Sequence, residues 1–338
     1  MAPVATRQLG RNGPQVSAIG LGLMSLGGIY GQKDSVEERL KFLDHAHEIG
    51  EVFWDTADVY VDSEDIIGEW FKRSGKRDDI FLATKFALTN DNGVRGVSSD
   101  PVYVKQACEK SLKRLGVDTI DLYYCHRVDD KTPIEKTVQA MAELKNEGKI
   151  RYLGLSECSA ATLRRAHAVH PISALQVEYS LFFLDIESEA TEILKTCREL
   201  GIAIIAYSPV GRGLLTGQVK KFEDLPENDF RRFIPKFQGE NFNRILALTD
   251  SIKAVADKRK VTASQVSLAW LAAQGEDIIS IPGTRTIKYL EENTNAIDIT
   301  LTEDEVKELR KAAEATELAG DRYPPGMSQF LMRDSVPL

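Results

Sequence analysis

The stretch IDLYYCHRVDDKTPIEKTVQAMAELKNEGKIRYLGLS, residues 120–156, reads as a strand, a helix and a second strand. Residues 120–125 form a short apolar run of the kind buried on both faces of a sheet. Thr132-Pro133-Ile134-Glu135 has capping-box spacing with proline near the first helical position. Ile134, Val138 and Met141 then recur on one helical face, and Gly148 marks the stop. The next apolar run is 152–155. Strand, crossover helix and strand together are the unit of a parallel sheet.

The same alternation extends outward from this unit in both directions. Eight apolar runs are candidate strands: 18–23, 52–54, 80–84, 120–125, 152–155, 174–177, 203–206 and 278–281. Asp100-Pro101 supplies a capping carboxylate and a helix-starting proline. Thr262 with Gln265, and Thr302 with Glu305, have capping-box spacing. The last of these helices lies beyond the eighth strand and reads as an addition. Residues 8–16, with Asn12-Gly13, read as an opening hairpin. The segment from Ser208 to about Asn241 exceeds an ordinary barrel loop, and such loops are usually functional. Pro324-Pro325 and their neighbours exclude regular helix from the tail. No tandem repeat or composition shift divides the chain. The expectation is a single α/β domain over residues 1–338, a (β/α)8 TIM barrel with a long loop after strand 7, an extra carboxyl-terminal helix and an irregular tail at 320–338.

Composition narrows the class. The 338 residues are 43% hydrophobic and 28% charged, ordinary for a globular chain with a sizeable core. A net charge of −8 argues against a broad nucleic-acid or anionic-membrane surface. No apolar stretch approaches the roughly 20 residues of a membrane span, and the start lacks a signal-peptide core. The four cysteines are widely spaced, which fits a reduced compartment, and the expected location is cytoplasmic. His45, His47, His167 and His170 lack ligand spacing, so no metal site is expected.

Barrel enzymes carry their chemistry at the carboxyl ends of the strands. That rim holds Asp55 with Tyr60, Lys85, His126, Ser156 with Glu157, Gln176, Tyr207 with Ser208, and Pro282-Gly283. Singly, Asp55 reads as a turn cap, Tyr60 as a rim aromatic and Lys85 as a solvated strand end. Together they form a proton-donating set. A free phenol titrates near pH 10 and donates poorly at neutrality. An adjacent ammonium lowers that value, and a buried carboxylate keeps the ammonium charged. Tyr60 could then protonate a developing alkoxide while His126 bonds the same oxygen.

These residues sit within Asp55-Thr56-Ala57-Asp58-x-Tyr60, Thr84-Lys85, Asp121-Leu122-Tyr123-Tyr124-x-His126, Gly154-Leu155-Ser156 and Ala206-Tyr207-Ser208-Pro209. With Gly211-Arg212-Gly213-Leu214-Leu215-Thr216-Gly217, Pro282-Gly283-x-Arg285 and Leu290-Glu291-Glu292-Asn293, the ordered set resembles the aldo-keto reductase family over roughly residues 6 to 315, in its bacterial, fungal and plant branch. The resemblance implies reduction of an aldehyde or ketone by hydride transfer from NADP(H). Tyr60 would be the general acid, assisted by Lys85 and Asp55, and His126 would orient the carbonyl. Ser156 and Gln176 would bind the nicotinamide carboxamide, and Tyr207 would stack on its ring. Ser208, Pro209, Val210, Gly211, Gly213 and Leu215 would wrap the pyrophosphate. Gly283, Arg285, Glu292 and Asn293 would hold the adenosine end. Arg285, with Lys288 nearby, suits a 2′-phosphate, and Arg231 or Arg232 could add a contact.

Three positions depart from the family pattern: Glu157 replaces an asparagine, Val61 a glycine, and Gly22-Leu23-Met24 a Gly-Thr-Trp. The partner expected is a small carbonyl compound, in a pocket made by Ile29-Tyr30, Tyr60, the residues after His126 and the tail around Tyr323-Pro324. Its identity and the oligomeric state are not legible. Two other readings remain open at this point: a cofactor-binding regulatory subunit resembling potassium-channel β subunits, and a Schiff-base enzyme using Lys85.

Overall fold

An antiparallel pair, Thr6–Gln8 with Gln15–Ser17, opens the chain as the Asn-Gly turn predicts. The computed structural model describes residues 5–28, 33–91 and 94–338. Eight parallel strands follow: β1 (Leu21–Gly22), β2 (Phe53–Asp55), β3 (Phe81–Phe86), β4 (Ile120–Cys125), β5 (Ile150–Ser156), β6 (Ala174–Glu178), β7 (Ala203–Tyr207) and β8 (Ile278–Ser280). Each pairs with the next in chain order. Parallel bridges from Ile19 to Ser280 and from Gly22 to Gly283 close β1 onto β8. The seam is tight: a Cβ on Gly22 would lie 2.8 Å from the Ile281 carbonyl oxygen. The result is the expected (β/α)8 barrel. Its first strand is shorter than the 18–23 run, because Ala18 N–H donates to Ala5 O outside the barrel ladder.

Strand alternation decides which side chains face inward. Phe53, Ala83, Leu122, Tyr124, Ala174, Ala203, Ile205, Ile279 and Ile281 fill the barrel, and Leu9 and Val16 of the hairpin plug its amino end. Tyr124 occupies space that only Gly154 leaves open, since a Cβ there would lie 2.3 Å from its ring. A second core lies between the strands and the helices, with Trp54, Trp70 and Trp270 fully buried. Continuing the inward parity one step toward the carboxyl ends reaches Asp55, Lys85, His126, Ser156, Gln176 and Tyr207. Buried strands and a polar rim follow from one alternation.

Asp100 caps Pro101–Leu115 by accepting from Val102 N–H at 2.9 Å, and both threonine boxes, at Thr262 and Thr302, form. The box expected at Thr132 does not. Glu135 instead takes the fork of Arg165, with both contacts at 2.7 Å, and Thr132 Oγ1 donates to Asp129. A bidentate ion pair is the stronger claim on that carboxylate. The Ile134 N–H donates to Ser335 Oγ at 2.7 Å, so the tail caps this helix.

An antiparallel pair, Leu88–Asp91 with Val94–Val97, follows β3 and was not legible as strands. Between β7 and β8 the long segment holds several 3₁₀ turns before two helices, Glu240–Arg259 and Ala263–Ala272. Beyond β8, Ile287–Thr294 completes the barrel pattern and Glu303–Glu314 is the extra helix. The tail is irregular apart from Ser328–Phe330 and crosses the carboxyl rim. Arg333 N–H donates to Glu157 O and Ser159 N–H donates to Arg333 O, which ties the tail to the end of β5. Among the described residues, no helix is long and apolar enough to cross a membrane. Ile29 and Tyr30, expected in the pocket wall, lie outside the described residues.

Candidate active site

The end of β2 turns back over β3: Thr56 N–H donates to Ala83 O, Asp58 N–H to Lys85 O, and Tyr60 N–H to Ala57 O. This fold-back sets the Tyr60 ring above Lys85, whose ammonium lies 5.0 Å from the ring centroid. The Lys85 ammonium donates to Asp55 Oδ1 at 2.5 Å and to Thr56 O at 2.8 Å, and both charged residues are buried. Asp55 Oδ2 accepts from Gln176 Nε2 at 2.8 Å. The His126 ring stands edge-on to Tyr60 with centroids 5.9 Å apart. The four residues expected to act together are therefore brought together.

Electrostatics sharpen the roles open to each group. Burial opposes the charge on Lys85, but Asp55 and Tyr60 hold its ammonium above the usual lysine value. Burial also raises the Tyr60 phenol above 10, with Lys85 pulling against it. The expectation that the ammonium brings the phenol below its ordinary value is thus corrected, because desolvation of the phenolate outweighs the pull of Lys85. Tyr60 is a protonated donor throughout the neutral range. Burial, then the charges of Arg127 and Lys85, push His126 well below 6.5 and keep its imidazole neutral. Its Nδ1 is buried without a hydrogen-bond partner among the described residues.

The candidate cofactor residues occupy adjacent strand ends. Ser156 and Gln176 are partners in the ladder, and Tyr207 pairs in register with Glu178. The following loop carries positive φ at Ser208 (51°), Gly211 (58°), Arg212 (55°), Gly213 (86°) and Gly217 (73°). Within this loop the Gly211 N–H donates to Ser208 O, and the Gly213 and Leu215 N–H groups donate to Val210 O, so the left-handed positions close a series of tight turns. Pro209, Val210 and Leu215 belong to the same loop, and Leu215 is buried beneath it. Gly211 is required: a Cβ there would lie 2.4 Å from the Phe182 ring. At the far end Gly283 is exposed at the seam, Arg285 pairs with Asp34 at 3.1 Å, Glu292 accepts from Thr262, and Asn293 is buried. Arg231 and Arg232, candidates for a further phosphate contact, lie on the same long segment and bond within it. Arg231 forks onto Asp229 and donates to Arg212 O, while Arg232 donates to Leu225 O. These bonds brace the loop.

Sequence reasoning missed a buried ionic cluster beside this rim. Glu157 accepts from both Arg322 nitrogens (2.9 and 3.3 Å), from Tyr207 Oη (2.9 Å) and from Glu178 N–H (3.1 Å). Arg322 also reaches Glu178 at 3.2 Å, and Arg212 reaches the same carboxylate at 3.4 Å. Tyr323 meets Tyr207 through their hydroxyls at 3.2 Å and lies under the Arg212 guanidinium. The tail therefore seals the Tyr207 side of the cleft. Glu157 has φ 49° and Val61 φ 52°, left-handed values that an asparagine and a glycine respectively adopt more readily. Arg127, also missed, donates to His126 O at 2.6 Å and Ser156 Oγ at 3.1 Å. Its signal was available: it is the next residue after His126.

A buried amine–carboxylate pair, a phenol and an imidazole kept neutral by burial thus stand together at the carboxyl rim of a (β/α)8 barrel. The chain matches the model of the Aldo/keto reductase family over residues 18–314, and it belongs to that family. It is 58% identical over 325 residues, 95% of each chain, to "Aldo-keto reductase str7" of Strobilurus tenacellus. It is 48% identical over 339 residues, 99% of each, to "Aldo-keto reductase yakc [NADP(+)]" of Schizosaccharomyces pombe. Among solved structures, a glycerol dehydrogenase from Gluconobacter oxydans superposes with TM-score 0.83 at 30% identity, covering 94% of this chain and 97% of that one. An aldo-keto reductase from Bacillus halodurans, in its holo form, gives 0.75 at 27%, covering 92% and 97%.

Proposed function

We propose that this protein reduces an aldehyde or ketone to the alcohol with NADPH, Tyr60 delivering the proton. The observation that carries this reading is the Tyr60–Lys85–Asp55 arrangement with a neutral His126 facing the phenol ring. When bound, NADPH supplies the hydride. The residues present fit it: a serine and a glutamine on paired strand ends suit an amide, Tyr207 beside them offers a ring face, and the glycines of the tightly turned loop that follows let a pyrophosphate approach the backbone. Arg285 would take the 2′-phosphate in exchange for, or alongside, Asp34. The name of the Schizosaccharomyces relative supports the NADP choice.

His126, neutral by burial, donates to the carbonyl oxygen and fixes its direction. Tyr60 passes its proton to the same oxygen as negative charge develops there. The phenolate left behind is stabilised by the Lys85 ammonium, which Asp55 keeps charged and Thr56 O keeps in place. Burial keeps the phenol protonated in the resting site, and Lys85 makes its transient ionisation affordable. A panel of aromatic, aliphatic and dicarbonyl compounds, followed by NADPH absorbance, tests the reading. Oxidation of NADPH that depends on a carbonyl compound supports it, and NADPH binding with no turnover across the panel would refute it. Trapping of a substrate on Lys85 by borohydride would replace it with Schiff-base chemistry.

A further inference from the structure

Arg127 is a buried cation that the chemistry above does not use. Only 8% of it is exposed, yet no carboxylate among the described residues lies within ion-pair distance. Its charged neighbours at the rim are matched with one another: Lys85 with Asp55, Arg322 with Glu157 and Glu178, and Arg212 with Glu178. Four cations stand against three carboxylates, and Arg127 is the surplus one. Glu157 is near enough for its charge to act on Arg127, but its oxygens are occupied by Arg322, Tyr207 and a peptide N–H. Nη1 is spent on His126 O and Ser156 Oγ, while Nε and Nη2 bond to no described residue. Neither Nε nor Nη2 is among the sealed, unpartnered side-chain atoms, so that edge is open, and the guanidinium is close enough to Tyr207, Tyr323 and Tyr60 for their charges to act on it. Burying an unmatched guanidinium is costly unless an anion completes it.

We propose that Arg127 is the anchor for a negatively charged group on the substrate, and that the preferred substrates are carbonyl compounds bearing a carboxylate. This rests on the reading that the site reduces carbonyls at Tyr60. A fork of two free donors suits a planar carboxylate, and its place next to His126 sets that carboxylate on the same side of the cleft as the reacting oxygen. A neutral substrate would leave the cation unsatisfied, so discrimination arises from the penalty on the neutral compound as much as from the new bond.

The test compares acids with their methyl esters: terephthalaldehydic acid and succinic semialdehyde against the ester of each. The wild type is expected to favour at least one acid by roughly 10- to 100-fold in kcat/KM, the range of a charge-assisted hydrogen bond. Arg127→Met should bring that ratio close to one whatever the absolute rates, and Arg127→Lys should recover part of it. Flat ratios in the wild type, or a ratio unchanged in Arg127→Met, would overturn the proposal. So would a changed affinity ratio of NADP⁺ to NADPH in Arg127→Met with the acid preference intact, because Arg127 would then serve the cofactor. If the wild type reduces none of the four compounds, the fault lies with the reaction assigned, and calorimetry decides on the anchor separately. The para isomer of hydroxymethylbenzoate should bind the wild type at least about 10-fold more tightly than benzenedimethanol, and Arg127→Met should lose the difference. Equal binding overturns it.

Discussion

Removing the Arg322 side chain tests how far the tail belongs to the site. The guanidinium makes three contacts of 2.9–3.3 Å to Glu157 and Glu178, and both carboxylates are essentially inaccessible. Arg322→Met keeps most of the volume and leaves Glu157 to the more distant charge of Arg127 and Glu178 to Arg212. Breaking a buried ion pair by deleting one partner costs about 3–5 kcal/mol, and the remaining arginines place the expected loss near the lower end, about 3 kcal/mol. Equilibrium urea unfolding followed by fluorescence and far-UV dichroism measures it, provided the two transitions coincide. Arg322→Met/Glu157→Gln should lose less than the single arginine variant, because it removes the stranded charge. A loss under about 1 kcal/mol with unchanged slope would refute the claim that this pair holds the tail. The pH dependence has a definite sign. Burial raises the Glu157 carboxyl, but Arg322 and Arg127 outweigh it and hold the group below its ordinary value. Its contribution is therefore full above about pH 4.3 and is lost as pH falls through the lower folded value.

Two further outcomes follow from the site. Arg285→Ala should weaken NADPH by at least about 10-fold, the scale of one charge-assisted bond, with little effect on NADH; equal losses measured by fluorescence titration would remove the phosphate role. Because His126 is held well below 6.5, the kcat profile for reduction should show no ionisation between about pH 6 and 7; its buried neutral ring also means that stability is lost as pH falls below about 6.5 toward its depressed folded value. A step in kcat near that pH, absent in His126→Gln, would show an exposed imidazole instead.

Much of the barrel was legible because its strands are buried on both faces and write themselves as apolar runs. The quartet was legible for a related reason: the parity that fills the barrel with Phe53, Ala83 and Tyr124 places Asp55, Lys85 and His126 at the rim. What stayed hidden depends on distant pairing. Glu157 reads as a mere departure from an amide until Arg322, 165 positions away, is seen to fill its carboxylate. The box at Thr132 has the right local spacing, but Arg165 and Ser335 arrive from elsewhere and take its groups. The phenol direction failed for another reason, since sequence shows the neighbouring ammonium but not the depth of burial.

The most direct test of the proposed chemistry is Tyr60→Phe, which deletes one oxygen and leaves Lys85, Asp55 and His126 in place. NADPH should still bind within about 3-fold of wild type, while kcat for carbonyl reduction falls by roughly 100-fold or more, the contribution of a general acid. Turnover undiminished in the phenylalanine variant would contradict the assignment of Tyr60 as the proton donor.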